Sequence, residues 1–155
     1  MTAVTVARVT AGHIAHVAAN MREADVIEVL ALSGRTPMQA LEHSIAASDI
    51  AYSATLNGVP SCIFGCGSAD LLSGVGVPWL LGTSDIDRHY VRFLRGSIYW
   101  VDRMKLNYRR LVNRVDDRNE VSKRWLAWLG FSFSPLRVSG NGTPYRVFMM
   151  DGGHV

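Results

Sequence analysis

The chain has 155 residues, 48% hydrophobic and 19% charged, with a net charge of +3. That balance excludes a disordered chain and fits one folded domain, while the mild basicity without a dense Lys/Arg cluster gives nucleic-acid binding little support. No run reaches the roughly 18 apolar residues that a spanning helix needs, and the opening MTAVTVARVTAGH lacks the basic start and long apolar core of a signal peptide.

Residues 3–9 alternate and predict a strand. A helix follows over Ala11–Asn20, with Thr10 as its cap and Ile14, Val17 and Ala18 on one face. His13 and His16 form an HxxH, but no further ligand follows at a zinc spacing, so no metal site is expected. Met21–Leu32 reads as a second amphipathic piece whose inward stripe is Met21, Ala24, Val26/Ile27 and Leu30, ended by Ser33-Gly34. Asp25 and Glu28 then fall on its outer, solvated face. Thr36-Pro37 opens a third helix through Ser48, with Met38, Leu41 and Ile45 facing inward.

Residues 49–56 predict a strand, and Asn57-Gly58 is a strong hairpin signal into a partner at Val59–Cys66. Cys62 and Cys66 lie four apart in that strand, on one face and too far apart to bridge, so both are expected as buried reduced thiols in a reducing compartment. The glycines around Gly65-Cys66-Gly67 and Gly74-Val75-Gly76 lack the Lys-Ser/Thr and helix of a phosphate loop and read as a flexible connection. Val77–Gly82 fits a buried central strand, with Pro78 near its start or at a bulge.

Ile86–Leu106 is expected as the longest helix, with Ile86, Tyr90, Phe93/Leu94, Ile98, Val101 and Met104 inward. Gly96 weakens its middle by roughly 1 kcal/mol against alanine. Arg88, Arg92 and Arg95 share one face of it, either as a solvated surface or as a seat for an anion. Arg109–Val115 is a strand. Asp116–Phe131 then reads as a capped helix: Asp116, Asp117 and Asn119 are cap candidates, Val121, Trp125 and Trp128/Leu129 form the apolar stripe, and Gly130 is the left-handed stop. Phe131–Val138 and Tyr145–Met150 close the chain as a hairpin around SGNG. The tryptophans read mostly as core, and one exposed beside Tyr99 would mark a partner surface. No GxSxG nucleophile motif occurs.

This order predicts an α/β fold: one domain over 1–155, a mixed central sheet of about seven strands, and helices on both faces. Helical crossovers on either side of Arg109–Val115 call for parallel neighbours there.

The element order, together with Asn119, Ser122, Trp125 and Gly130-Phe131, resembles the GNAT acetyltransferase superfamily. More narrowly, SGRTP, VPWLLGT, the Asn/Asp segment at 113–119 and WLAWLGF resemble a family of small internal virion proteins of short-tailed phages. The first resemblance implies acetyl-CoA or CoA as cofactor, held by Leu80, Leu81, Gly82, Thr83, Ser84, Arg88, Asn119 and Ser122. A backbone N–H of the Val77–Gly82 strand would polarise the thioester carbonyl, and an amine would be the acceptor. Asp25 and Glu28 would lie where the acceptor binds, and His89 would be a candidate base. The second resemblance implies a virion or assembly component, phage proteins as partners, and the virion or host-cell cytoplasm as location. Two positions depart from the GNAT pattern. The stretch Gly82–Arg88 has one glycine and two carboxylates where the family carries a glycine-rich pyrophosphate loop, and Leu126 stands where many members have the tyrosine that protonates the leaving thiolate.

Overall fold

The computed structural model describes residues 3–153. Its strands form one mixed sheet in the order Val4–Arg8, Ile50–Leu56, Val59–Ser68, Val75–Gly82, Arg110–Asp116, Pro144–Asp151 and Ser132–Phe133, with Arg137–Val138 also paired to Pro144–Asp151. By compactness the chain divides into two units, residues 1–67 with 79–90 and residues 68–78 with 91–155.

The first unit opens with β1 (Val4–Arg8), α1 (Ala11–Ala19), α2 (Glu23–Ser33) and α3 (Pro37–Ala46). Two of these helices start on reciprocal caps. Thr10 accepts from the N–H of His13 and Thr36 from that of Gln39, while the side chains of His13 and Gln39 reach back to the cap N–H groups. The histidine of the HxxH pair is thus a capping group. β2 (Ile50–Leu56) pairs antiparallel with β1 and with β3 (Val59–Ser68), and Asn57 and Gly58 turn the hairpin at φ 51° and 83°. Val17 of α1, Leu41 of α3, Ile63 of β3 and Leu81 of β4 (Val75–Gly82) form the core of this unit. Cys62 and Cys66 are buried and form no disulfide, and burial pushes the Cys62 thiol up to about 12.

The second unit contains the first half of β4, α5 (Tyr90–Asn107) from Val91 onward, β5 (Arg110–Asp116), α6 (Glu120–Leu129), β6 (Ser132–Phe133), β7 (Arg137–Val138) and β8 (Pro144–Asp151). β4 and β5 run parallel, Val75 opposite Arg110 and Gly76 opposite Leu111. At Pro78 the chain has no N–H to offer, and the Asn113 side chain donates to the Pro78 carbonyl at 2.8 Å. β5 and β8 are antiparallel from Arg110–Asp151 to Asp116–Tyr145. Phe131 and Phe148 meet edge to face at 5.1 Å.

Several expectations need correction, among them Met38 and Ile98, expected inward but exposed at 38% and 39%, and β5, which has a parallel neighbour in β4 but an antiparallel one in β8. The long helix over Ile86–Leu106 is broken: α4 (Asp85–Arg88) ends at His89, whose φ −118° and ψ 39° leave the helical region, and α5 starts afresh at Tyr90. Arg88 therefore does not share a helix face with Arg92 and Arg95. α2 is rotated from its expected setting, with Asp25 fully buried and Ile27 and Leu30 exposed at 46% and 61%. Trp128 is exposed while Trp125 is buried, so the apolar stripe of α6 runs through one tryptophan only. Phe131–Val138 is two short strands separated at Pro135, so the described residues hold eight strands, in keeping with the expected sheet of about seven. Gly65 and Gly67 form no flexible connection: they are buried in β3, and a Cβ on them would press on Ile50 O and Ala47 O respectively.

Candidate functional site

The expected loop at 82–88 is built in the first unit by an ion-pair network that joins α2 to the end of β4. Arg22, just before α2, donates its backbone N–H to Gly82 O at 2.9 Å, and Gly82 returns its own N–H to Asp25 Oδ2 at 2.9 Å. The Arg22 guanidinium lies between two carboxylates, with Nε 2.9 Å from Asp25 Oδ2 and Nη1 2.9 Å from Asp87 Oδ1. Burial pushes the Asp25 carboxyl above the usual carboxylate range, against the pull of Arg22 and of the Gly82 N–H. Arg22 itself is raised: burial works against its charge, and Asp25 and Asp87 together outweigh that cost.

Gly82 is demanded by packing. A Cβ there would sit 2.6 Å from Ile86 Cδ1 and 3.1 Å from both Cys62 Cβ and Ser61 O. Thr83 is buried, and its N–H goes to Ser61 O at 2.8 Å. Its hydroxyl accepts from Asp85 N at 3.3 Å, while its carbonyl takes Ile86 N. Ser84 O accepts from both Asp87 N and Arg88 N at 3.1 Å. The Asp85 carboxylate accepts from Ser61 Oγ at 3.1 Å and Arg88 Nη2 at 2.6 Å. The N–H groups of Thr83 and of Asp85 to Arg88 are thus already used inside the chain, and two carboxylates stand among them. These residues do not fit a pyrophosphate, which needs free N–H groups and a positive field.

The remaining candidates are dispersed. Leu81 is buried in the core and Leu80 half-buried. Ser84 is exposed and caps no N–H with its side chain. Half-buried His89 caps α4 through its N–H to Asp85 O at 3.0 Å. Glu28 is half-buried on α2, whereas Asp25 is held at Oδ2 by Gly82 N and the Arg22 guanidinium, a poor posture for a base that must reach a substrate.

In the second unit, Asn119 caps α6 by accepting from Ser122 N at 3.1 Å, as its position before an apolar stripe predicts. Asn119 is 7% exposed, and its Nδ2 has no partner among the described residues. It is an unused buried donor, and a fitting one for a bound acceptor group. Half-buried Leu126 stands on the same helix. Beside it, Asp116 is held well below the usual carboxylate range by its hydrogen bonds from Arg118, and Asp117 by Arg146 at 2.6 Å and Lys123 at 3.0 Å. Sequence reasoning missed Arg22, Ser61 and this Asp117 hub. Arg22 stands three residues before Asp25, at the extended N-cap of α2, but that spacing alone does not say whether the pair is buried.

Comparison with solved structures decides the architecture. The chain has the GNAT fold. It superposes on the ribosomal-protein-S18-alanine N-acetyltransferase from Escherichia coli with a TM-score of 0.64 at 13% identity, covering 96% of this chain and 94% of that one. An acetyltransferase of the GNAT family from Streptococcus pneumoniae gives 0.65 at 15% identity, over 97% and 100%. The yncA protein of Salmonella typhimurium, solved with its cofactor acetyl-CoA, gives 0.62 at 15% identity, over 96% and 94%. No family model matches the sequence, and no curated protein is significantly similar to it. At such identities the GNAT likeness is one of fold.

Proposed function

We propose that this GNAT-fold chain works as an assembly component, of the kind the phage virion resemblance implies, and does not hold acyl-CoA through the family's loop. The observation that supports the reading is the 82–88 loop, whose N–H groups at 83 and 85–88 are already bonded and which carries two carboxylates, Asp85 and Asp87, that would repel a pyrophosphate. Leu126, in place of a proton-donating tyrosine, points the same way. A second reading, transfer of an acetyl group from acetyl-CoA to an amine, is favoured by the unused donor on Asn119.

Thermal unfolding of the full chain with acetyl-CoA up to millimolar separates the two, because a ligand that binds only the folded state raises Tm once its concentration exceeds Kd. The assembly reading expects an unchanged Tm. A saturable rise that Asn119→Ala abolishes would overturn it in favour of acyl-CoA binding.

A further inference from the structure

The two units carry opposite charge. The first has four Lys/Arg against seven Asp/Glu, a net of −3, and the second has twelve against six, a net of +6. Each also exposes an apolar helix face. On α2, Glu23, Ile27 and Leu30 stand at spacings of four and three, one stripe along the helix, and all are exposed. This is the face that amphipathic periodicity would bury, and Asp25 occupies the inside instead. On α5, Val91, Arg95 and Ile98 form one exposed stripe, and Arg92, Gly96 and Tyr99 form another next to it. Val91 is 58% and Tyr99 56% exposed, and the Arg103 guanidinium stacks over the Tyr99 ring at 5.5 Å.

Gly96 sharpens the case. It lies mid-helix, where glycine is unfavourable, yet beyond its own helix backbone a Cβ there would meet nothing within 4 Å among the described residues. The described residues supply no steric reason for a glycine, whereas a second chain passing close over the helix would.

We propose that a second copy of this chain covers these faces head to tail, the acidic-rimmed α2 face of one copy lying on the arginine-rimmed α5 face of the next. Glu23 then meets the arginines, and Ile27 and Leu30 pack on Val91, Ile98 and Tyr99. Pairing of two α5 faces is disfavoured, since Arg92 and Arg95 would oppose their like. A heterologous contact of this kind leaves one α2 face and one α5 face open at its ends, so growth passes beyond the dimer or closes as a ring. The contact does not depend on the state of the 82–88 loop.

Sedimentation velocity on the full chain over a range of concentrations tests this. The expected result is a mass that rises with concentration beyond the dimer and falls at high salt, because the attraction is between exposed charges. Leu30→Lys and Arg95→Glu should each leave a monomer with an unchanged circular dichroism spectrum, since both residues are exposed. Their equimolar mixture should form a 1:1 heterodimer and no more, because each variant keeps the face the other lacks. Gly96→Ala should raise Tm while weakening assembly by about tenfold or more. A wild-type chain that stays monomeric at every concentration and salt overturns the proposal, and so does a variant pair that fails to complement.

Discussion

Gly82 shows at the scale of one residue how a functional expectation and a packing requirement compete for the same letter. As the single glycine of a supposed phosphate loop it would let backbone approach a ligand, but its missing Cβ is filled by the Ile86 methyl, Cys62 and Ser61. Gly82→Ala should destabilise the fold by about 1–3 kcal/mol, the usual range for overpacking, and Gly82→Ala with Ile86→Val should recover part of that because the distal methyl is the nearest clash. Urea unfolding of both variants checks this, and equal loss in the two would show the strain lies at Ser61 O instead. Asp25 is the residue most misread from sequence. Helical periodicity put it outside, and nothing in an i, i+3 pattern reveals that Arg22 and the Gly82 N–H wait for it inside.

At the scale of elements, the Gly82 N–H donated to Asp25 and the Arg22 N–H donated to the Gly82 carbonyl tie α2 to the end of β4, and the Arg22–Asp25 pair holds that carboxylate in place. Asp25→Ala takes the acceptor from the buried Gly82 N–H and leaves the buried Arg22 guanidinium with only the partly exposed Asp87 carboxylate, so it should cost about 3–5 kcal/mol. Asp87 is 43% exposed and its bond to Arg22 is screened by water, so Asp87→Ala should cost about 1 kcal/mol or less. Chemical denaturation of the two variants reads the contrast directly, and a small loss for Asp25→Ala would mean that α2 is held by apolar packing alone. Element starts and stops were within reach of the sequence because they are local: Thr10, Thr36 and Asn119 cap where their side chains predict, and Gly34 and Gly130 end helices at φ 69° and 102°. The break at His89 was not, since no proline or glycine marks it.

At the scale of the whole molecule, acid stability is set by carboxylates whose positions are far apart in the chain. Asp116 and Asp117 are held below the usual carboxylate range, so the stability they contribute is present above that range and lost as pH falls through it toward their folded values. Asp25 has the opposite sign. Its folded value is raised, so the native state binds the extra proton and stability declines as pH rises from the usual carboxylate range to that value. Asp117→Asn should therefore unfold at a urea midpoint that falls less on acidification than the wild type does. A variant with the wild-type slope would remove Asp117 from the acid response.

Composition, caps and hairpin chemistry by themselves determined the α/β class and most element starts and stops, because each is a local preference written in adjacent residues, and the resemblance at Asn119 to Phe131 pointed to the GNAT-type architecture. Tertiary structure alone decided which face of α2 is inside, where the long helix breaks, and that the N–H groups at 82, 83 and 85–88 are spent within the chain. The physical reason is that these depend on partners distant in sequence. Gly82 lies 57 residues from Asp25, and Asp85 lies 24 from Ser61. A single helical period cannot distinguish a buried carboxylate with a waiting arginine from an exposed one without it.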